Sequence, residues 1–333
     1  VTVRKLSEIV RAHVASAVQS GYLGLVAGAV LDDRVSTAGG GSTGRTGPPP
    51  DARTIFRIAS LSKVFSGTAL AVAALRHEVA LDDPVDRHLP GWFRVPAYED
   101  GARVLVEHLA THTSGLPRGT TNPAAGESVE AMAAEVEQMS LLTRPGEVQE
   151  YSNLGPAILG TMLATRAGRS YDALIQERIA QPLGLTDVVL TLDRAQQARL
   201  APGHDEEGAP THTPTFPTGA PSGGFYGSVA SLVGFLRAYL GDAPAELTAA
   251  AGLATRCHFN GPDGHRIGLL WHLDRVPGLG AEYAWHNGAL PGYRAYLAVA
   301  REARAGVVVL TNQARSVDEI GRGLLTSILE SVR

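Results

Sequence analysis

A serine three residues ahead of a lysine, Ser60-Leu61-Ser62-Lys63, is the first spacing in this chain that could carry covalent chemistry. On a helix starting near Ser60, residues i and i+3 are neighbours, so Ser60 and Lys63 share a face while Ser62 points elsewhere. The positive end of the helix dipole would sit at the hydroxyl. A buried lysine with a lowered pKa can take or relay a hydroxyl proton. Lys5 and Lys63 are the only lysines, and every other fixed cation is arginine, which does not readily give up its proton. Taken alone, these four letters also fit an ordinary N-cap serine followed by a surface lysine.

Two further stretches hold compatible chemistry. Tyr151-Ser152-Asn153 follows Arg144-Pro145-Gly146 and precedes a helix opening near Pro156. In an extended segment Tyr151 and Asn153 would share a face. A phenol can act as general base if nearby cations hold it as phenolate, and an Asn amide can bond a substrate carbonyl and a lysine together. A polar turn before a helix is the plainer alternative. Trp285-His286-Asn287-Gly288 falls on a predicted strand. Gly288 would admit a substrate close to the backbone, and His286 would face the site as a hydrogen-bond donor. The amides of Ala289 and Ser60 could form an oxyanion hole. The competing reading is an Asn-Gly hairpin turn.

In chain order the three stretches resemble Ser-x-x-Lys, Tyr-x-Asn and Lys/His-x-Gly of the serine β-lactamase-like superfamily. That superfamily includes class C β-lactamases, DD-peptidases, and the esterases and transacylases of the same fold. The resemblance runs from Val1 to Arg333. It takes in Phe56-Arg57-Ile58-Ala59-Ser60, Leu109-Ala110-Thr111-His112-Thr113-Ser114-Gly115-Leu116-Pro117, Gln181-Pro182-Leu183-Gly184-Leu185 and Pro221-Ser222-Gly223-Gly224. It implies Ser60 as acylated nucleophile, with Lys63 and Tyr151 as its proton-handling partners. It implies Asn153 as substrate-orienting residue, and His286, Gly288 and the Ala289 amide as the third motif and oxyanion site. No metal or organic cofactor follows from it. His-Asn-Gly replaces the Lys-Thr-Gly usual in class C enzymes. The site thereby loses a fixed charge for a β-lactam carboxylate, which favours a neutral ester or amide. His112 is read as structural, holding residues 113–117.

The elements that must position these groups follow from periodicity. Helices are expected over 4–20, 61–77, 104–111, 128–137, 157–167, 171–179, 228–240 and 317–332, the sixth with Ser170 as N-cap. Strands are expected over 24–31, 34–40, 264–275, 282–290, 293–300 and 305–312, with residues 201–222 as a long loop. The order predicts an α/β (α+β) fold of the β-lactamase/transpeptidase type. One antiparallel sheet would be built from both halves of the chain, with the terminal helices on one face. Residues 1–82 and 222–333 would form this lobe and residues 83–221 a mainly helical one, with the site in the cleft between them.

Bulk properties narrow the function classes. The 333 residues are 44% hydrophobic and 19% charged, with a net charge of −4, and no charge block suggests a nucleic-acid surface. The lone Cys257 excludes an intrachain disulfide framework. His204, His212, His258, His265 and His272 lack metal-ligand spacing. Residues 1–20 read as an amphipathic helix rather than a secretory leader, and the apolar run at 22–31 is too short to span a bilayer. A cytoplasmic location is expected. The expected partner is a small ester, amide or β-lactam-like substrate, with a small amine or alcohol acyl acceptor in a transacylase. A non-turnover penicillin-binding sensor and a scaffold with a dead site are the rival classes.

Overall fold

Strands that are apolar at nearly every position need cover on both faces, and that requirement organises this molecule. The computed structural model describes residues 2–44 and 46–332. Its strands are β1 (Gly24–Leu31), β2 (Arg34–Gly41), β3 (Ile55–Arg57), β4 (Tyr226–Ser228), β5 (Phe259–Asn260), β6 (Arg266–Ile267), β7 (His272–Arg275), β8 (Glu282–Leu290), β9 (Tyr293–Ala300) and β10 (Ala305–Thr311). Eight form one sheet in the order β2-β1-β10-β9-β8-β7-β6-β5, every pair antiparallel. β3 and β4 form a separate two-stranded ribbon.

The helices are α1 (Val3–Gln19), α2 (Ser62–Leu75), α3 (Val106–Ala110), α4 (Pro123–Glu127), α5 (Val129–Glu137), α6 (Leu154–Ala167), α7 (Tyr171–Ile175), α8 (Arg194–Gln197), α9 (Ala220–Gly223), α10 (Val229–Tyr239), α11 (Ala245–Ala254) and α12 (Asp318–Glu330). α1 and α12, the two terminal helices, cover one face of the sheet. Leu6, Val10, Leu324 and Ile328 there meet Leu25, Ala27 and Ala29 of β1. The alternate residues of β1, Val26 and Val30, face a second and larger core that contains Phe65 of α2 and Phe235 of α10. That core continues into α5, α6 and α7 through Met132, Ile158 and Ile175.

Three differences from the sequence reading have physical causes. The single strand expected over 264–275 is two, β6 and β7. Between them Leu270 takes φ 60 and donates its amide to Ala110. The excursion buries Leu269, Leu270 and Trp271. The Ala-rich stretch 245–254, for which no element was expected, is α11, packed against α2. The loop expected over 201–222 carries a single helical turn at Pro217–Gly219 and then α9. Ser170 does cap α7, its hydroxyl accepting from the Ala173 amide at 3.2 Å. Among the described residues no helix is long and apolar enough to cross a membrane.

Candidate active site

The turn that presents Ser60 is held in a costly conformation. Ala59 sits at φ 50, a left-handed value that non-glycine residues seldom adopt without outside support. The support is visible on both sides. The Ile58 amide donates to the Phe225 carbonyl at 3.1 Å, and the Leu61 amide to Ile58 at 3.1 Å. The Ser62 hydroxyl donates to the Ala59 carbonyl at 2.7 Å and accepts from the Phe225 amide at 3.1 Å. Ser62 thus braces the turn rather than sharing the face of Ser60. Ser60 itself lies in the 3-10 turn Ala59–Leu61, just ahead of α2.

Lys63, in the first turn of α2, is fully buried. Its Nζ stands 3.2 Å from Ser60 Oγ, 2.8 Å from Asn153 Oδ1 and 2.7 Å from the Ser222 carbonyl. Burial, aided by the positive charge of Arg118, holds the amine well below the usual lysine range. One turn on, the Ser66 hydroxyl donates to the Pro221 carbonyl at 2.8 Å, so one face of α2 is bonded to residues 221 and 222.

Tyr151, Ser152 and Asn153 are fixed by the segment around His112. The Glu150 amide donates to the His112 carbonyl at 2.7 Å and the Ser152 amide to His112 Nδ1 at 3.2 Å. The Ser152 hydroxyl donates to the Pro117 carbonyl at 3.0 Å, and the Asn153 amide to the Arg118 carbonyl at 2.7 Å. His112 therefore positions this stretch, which accounts for the Leu109–Pro117 motif sitting so far along the chain from Ser60. Asn153 has helical backbone angles, φ −89 and ψ −25, not extended ones. Its side chain still converges with Tyr151 on Lys63, whose Nζ lies 5.0 Å from the centre of the phenol ring. Burial raises the Tyr151 pKa, opposed by Ser60 and by Arg118, so the resting group is a phenol and not the phenolate considered from sequence.

The third stretch is a strand and not a hairpin. Asn287 and Gly288 lie inside β8, paired with Tyr296 and Ala295, and the chain reverses at Pro291-Gly292. A Cβ on Gly288 would stand 2.7 Å from the Ile58 carbonyl and 3.0 Å from the Ser60 amide nitrogen. Glycine is what lets β8 abut the nucleophile turn. Asn287 points to the opposite face, where it donates to Asp318 at 2.7 Å.

His286 is buried beneath the cleft, its ring 6.3 Å from Tyr151 and 5.2 Å from His272. Burial, with His272 and Lys63 nearby, keeps it well below the usual imidazole range. Its Nδ1 lies 2.6 Å from the Asn287 carbonyl, which can only accept. The proton is therefore on Nδ1, and Nε2, buried and unpartnered, carries a lone pair. This corrects the sequence expectation of a donor aimed into the site. At His112 the reverse holds. Nδ1 accepts from Ser152, leaving an unpartnered Nε2–H, and the His112 ring lies 4.7 Å from that of Tyr151.

Ser60, Asn153 and Ala289 line a cleft of about 250 Å³. Its apolar wall comes from Met132, Leu154, Ala157 and Phe216. Sequence reasoning placed Ser60, Lys63, Tyr151, Asn153, His286, Gly288 and Ala289 here, and the structure brings them to one region. It missed the Ser222 carbonyl, a backbone group no side-chain pattern announces. It also missed Arg118, whose guanidinium lies 5.4 Å from the Tyr151 ring centre. Among the described residues no group of three or more His, Cys, Asp or Glu side chains is placed to hold a metal ion.

A nucleophile turn braced between a helix and a sheet edge, with a buried lysine behind the serine, defines a class of serine hydrolases. By its match to the Beta-lactamase family model over residues 6–327, this chain belongs to that family. The D-alanyl-D-alanine-carboxypeptidase/endopeptidase AmpH of Escherichia coli (strain K12) is 32% identical over 197 residues, 57% of this chain and 50% of that protein. The chain thus matches about half the length of that relative. Penicillin-binding protein 4 of Amycolatopsis lactamdurans is 29% identical over 290 residues, 80% of this chain and 74% of that protein. In fold, the chain is similar to the β-lactamase/D-alanine carboxypeptidases of Pseudomonas syringae and Yersinia pestis. The first has a TM-score of 0.88 at 21% identity, covering 99% of both chains. The second has a TM-score of 0.84 at 23% identity, covering 98% of this chain and 99% of the other.

Proposed function

We propose that the chain hydrolyses an ester or amide through an acyl-enzyme on Ser60. The observation that carries this reading is the set of three contacts at Lys63. The Ser222 and Asn153 oxygens both accept, which occupies two N–H bonds of the amine. In a neutral amine the third direction, toward Ser60 Oγ, is the lone pair. Lys63 can then take the hydroxyl proton as Oγ attacks the substrate carbonyl. The Tyr151 phenol, its ring centre 5.0 Å from Lys63 Nζ, gives its proton to the leaving group as the carbonyl–leaving-group bond breaks, and regains one from Lys63. The amides of Ser60 and Ala289 are assigned to the developing oxyanion, and Asn153 to substrate orientation.

Water as acyl acceptor makes the chain an esterase, amidase or D-amino-acid-type peptidase, in keeping with the carboxypeptidase named among its relatives. An amine or alcohol in its place makes a transacylase. A neutral His286 offers no fixed charge for a β-lactam carboxylate at the third motif, which supports a substrate uncharged at that point. A cytoplasmic location is kept as part of this proposal, and cell fractionation tests it.

The test is intact-protein mass after mixing with 4-nitrophenyl acetate, with nitrophenolate followed in parallel. The expected result is a transient acetyl adduct and steady release for the native chain, and neither for Ser60→Ala. Substantial turnover by Ser60→Ala refutes the mechanism. Stoichiometric acylation without turnover would point to a sensor.

A further inference from the structure

One charged group faces the cleft, and nothing proposed so far uses it. Arg57 ends β3, three residues before Ser60, and is the one ionic side chain among the residues that line the cleft. It is 5% exposed. A buried guanidinium is ordinarily matched by a carboxylate, since an unpaired buried charge is costly. Among the described residues no Asp or Glu forms an ion pair with Arg57. Its polar contacts are with Tyr226, its cross-strand partner on β4. Nη1 lies a long 3.4 Å from the Tyr226 hydroxyl, and Cζ lies 4.8 Å from the ring centre. Nε is buried with no hydrogen-bond partner. Arg57 is the one arginine among the described residues that is this buried; the partly buried Arg178 and Arg199 show guanidinium groups that have found acids. Each holds a carboxylate, Glu78 and Asp187, with contacts down to 2.6 Å.

We infer that Arg57 anchors a carboxylate at the far end of the acyl group, so that the preferred acyl donor is a half-ester or half-amide of a dicarboxylic acid. The inference rests on the acyl-enzyme reading of Ser60. The cleft suits such a group. Met132, Leu154, Ala157 and Phe216 give a hydrocarbon chain apolar surface, while the cleft holds no carboxylate to repel its charged end. A planar guanidinium with free donors is suited to binding a carboxylate through paired hydrogen bonds. The neutral substrate expected from His286 is refined rather than reversed, because the anionic group sits at Arg57 and not at the third motif.

The test compares mono-4-nitrophenyl adipate with 4-nitrophenyl hexanoate, esters of equal chain length of which only the first ends in a carboxylate. After correction for their rates without protein, kcat/KM should favour the adipate by at least roughly tenfold. Arg57→Gln should bring the ratio toward one, and Arg57→Lys, which keeps a charge but not the fork, should retain part of it. A native ratio near one, or a preference that survives in Arg57→Gln, overturns the inference. The native ratio decides even if Arg57→Gln does not fold.

Binding without chemistry separates this inference from the reading it rests on. With Ser60→Ala, monomethyl adipate should raise the melting temperature and methyl hexanoate should not, an effect lost when Arg57→Gln is added. If that holds while neither ester acylates the native chain, the anchor stands and the acyl-enzyme falls. Equal acylation by both esters with no difference in melting temperature leaves the acyl-enzyme and removes the anchor.

Discussion

Replacing Lys63 by arginine separates its charge from its basicity. Arginine keeps a cation and has donors for the Asn153 and Ser222 oxygens that Lys63 contacts at 2.8 and 2.7 Å. It does not supply a lone pair at neutral pH, because its pKa stays above about 12. The native amine is pushed well below its ordinary value by burial, so a useful fraction is neutral when the enzyme works. Removing a positioned general base costs about 10²- to 10⁴-fold in rate, which corresponds to about 3–5 kcal/mol of barrier. Acylation of Ser60, read as the nitrophenolate burst and as adduct mass against time, should fall by that factor in Lys63→Arg. Circular dichroism and a melting curve would show that the larger side chain is accommodated. The native pH profile is the matching control. The acylation rate should drop about tenfold per pH unit below the lowered Lys63 pKa and level off above it. A folded Lys63→Arg within tenfold of native acylation would refute Lys63 as the base.

Three further outcomes follow from the same geometry. Tyr151→Phe keeps the ring over Lys63 but removes the hydroxyl assigned as proton donor. It should slow acylation by about 10²-fold or more for a poor leaving group and less for nitrophenolate, which needs little protonation; equal losses would remove Tyr151 from the acid role. Gly288→Ala places a methyl 2.7 Å from the Ile58 carbonyl and 3.0 Å from the Ser60 amide nitrogen. The nucleophile turn must shift, and a displacement near 1 Å can cost about 10²-fold in kcat/KM; native-like kinetics would show that β8 does not set the position of Ser60. His272 is held by burial at a pKa of about 4, below its ordinary 6.5. The unfolded chain takes up this proton as pH falls through 6.5 while the folded chain does not, so stability is lost down to about pH 4 and is level below. The gap is worth about 3 kcal/mol. Urea melts should show that acid-side loss in the native chain and a smaller one in His272→Phe, and parallel curves would refute it.

Much of this site was legible because three motifs in chain order resembled those of a known family, although each motif alone had a plainer reading. Lys63 stood out in a chain that otherwise uses arginine, and the strand expected over 282–290 carried His286 and Gly288 to the site. The illegible parts are those in which the backbone acts. Nothing in the letter at position 59 announces φ 50, since the Ile58 amide, the Ser62 hydroxyl and the Phe225 backbone impose it from three places in the chain. The Ser222 carbonyl on Lys63 is likewise a main-chain group, delivered by α9 at the end of a stretch whose composition signalled only a loop. Strand breaks at Leu269–Trp271 were invisible for a different reason. An apolar run reads the same whether it pairs in a ladder or leaves it to fill a core.

The charge pattern of the site follows from one constraint. A lysine that must surrender its proton has to be kept from carboxylates, because a nearby anion would restore its ordinary pKa. Lys63 accordingly contacts only neutral oxygens, and the groups whose positive charge would press on it are imidazoles held neutral by burial or the Arg118 cation. The same exclusion of acids leaves Arg57 without a partner at the cleft wall. A protein carboxylate placed there to neutralise Arg57 would also add a negative charge to the cleft that Lys63 works behind. An anion that arrives with the acyl group and leaves with the product satisfies Arg57 only while the substrate is bound. The unpaired guanidinium and the weakened lysine are then two results of the same absence of acidic side chains.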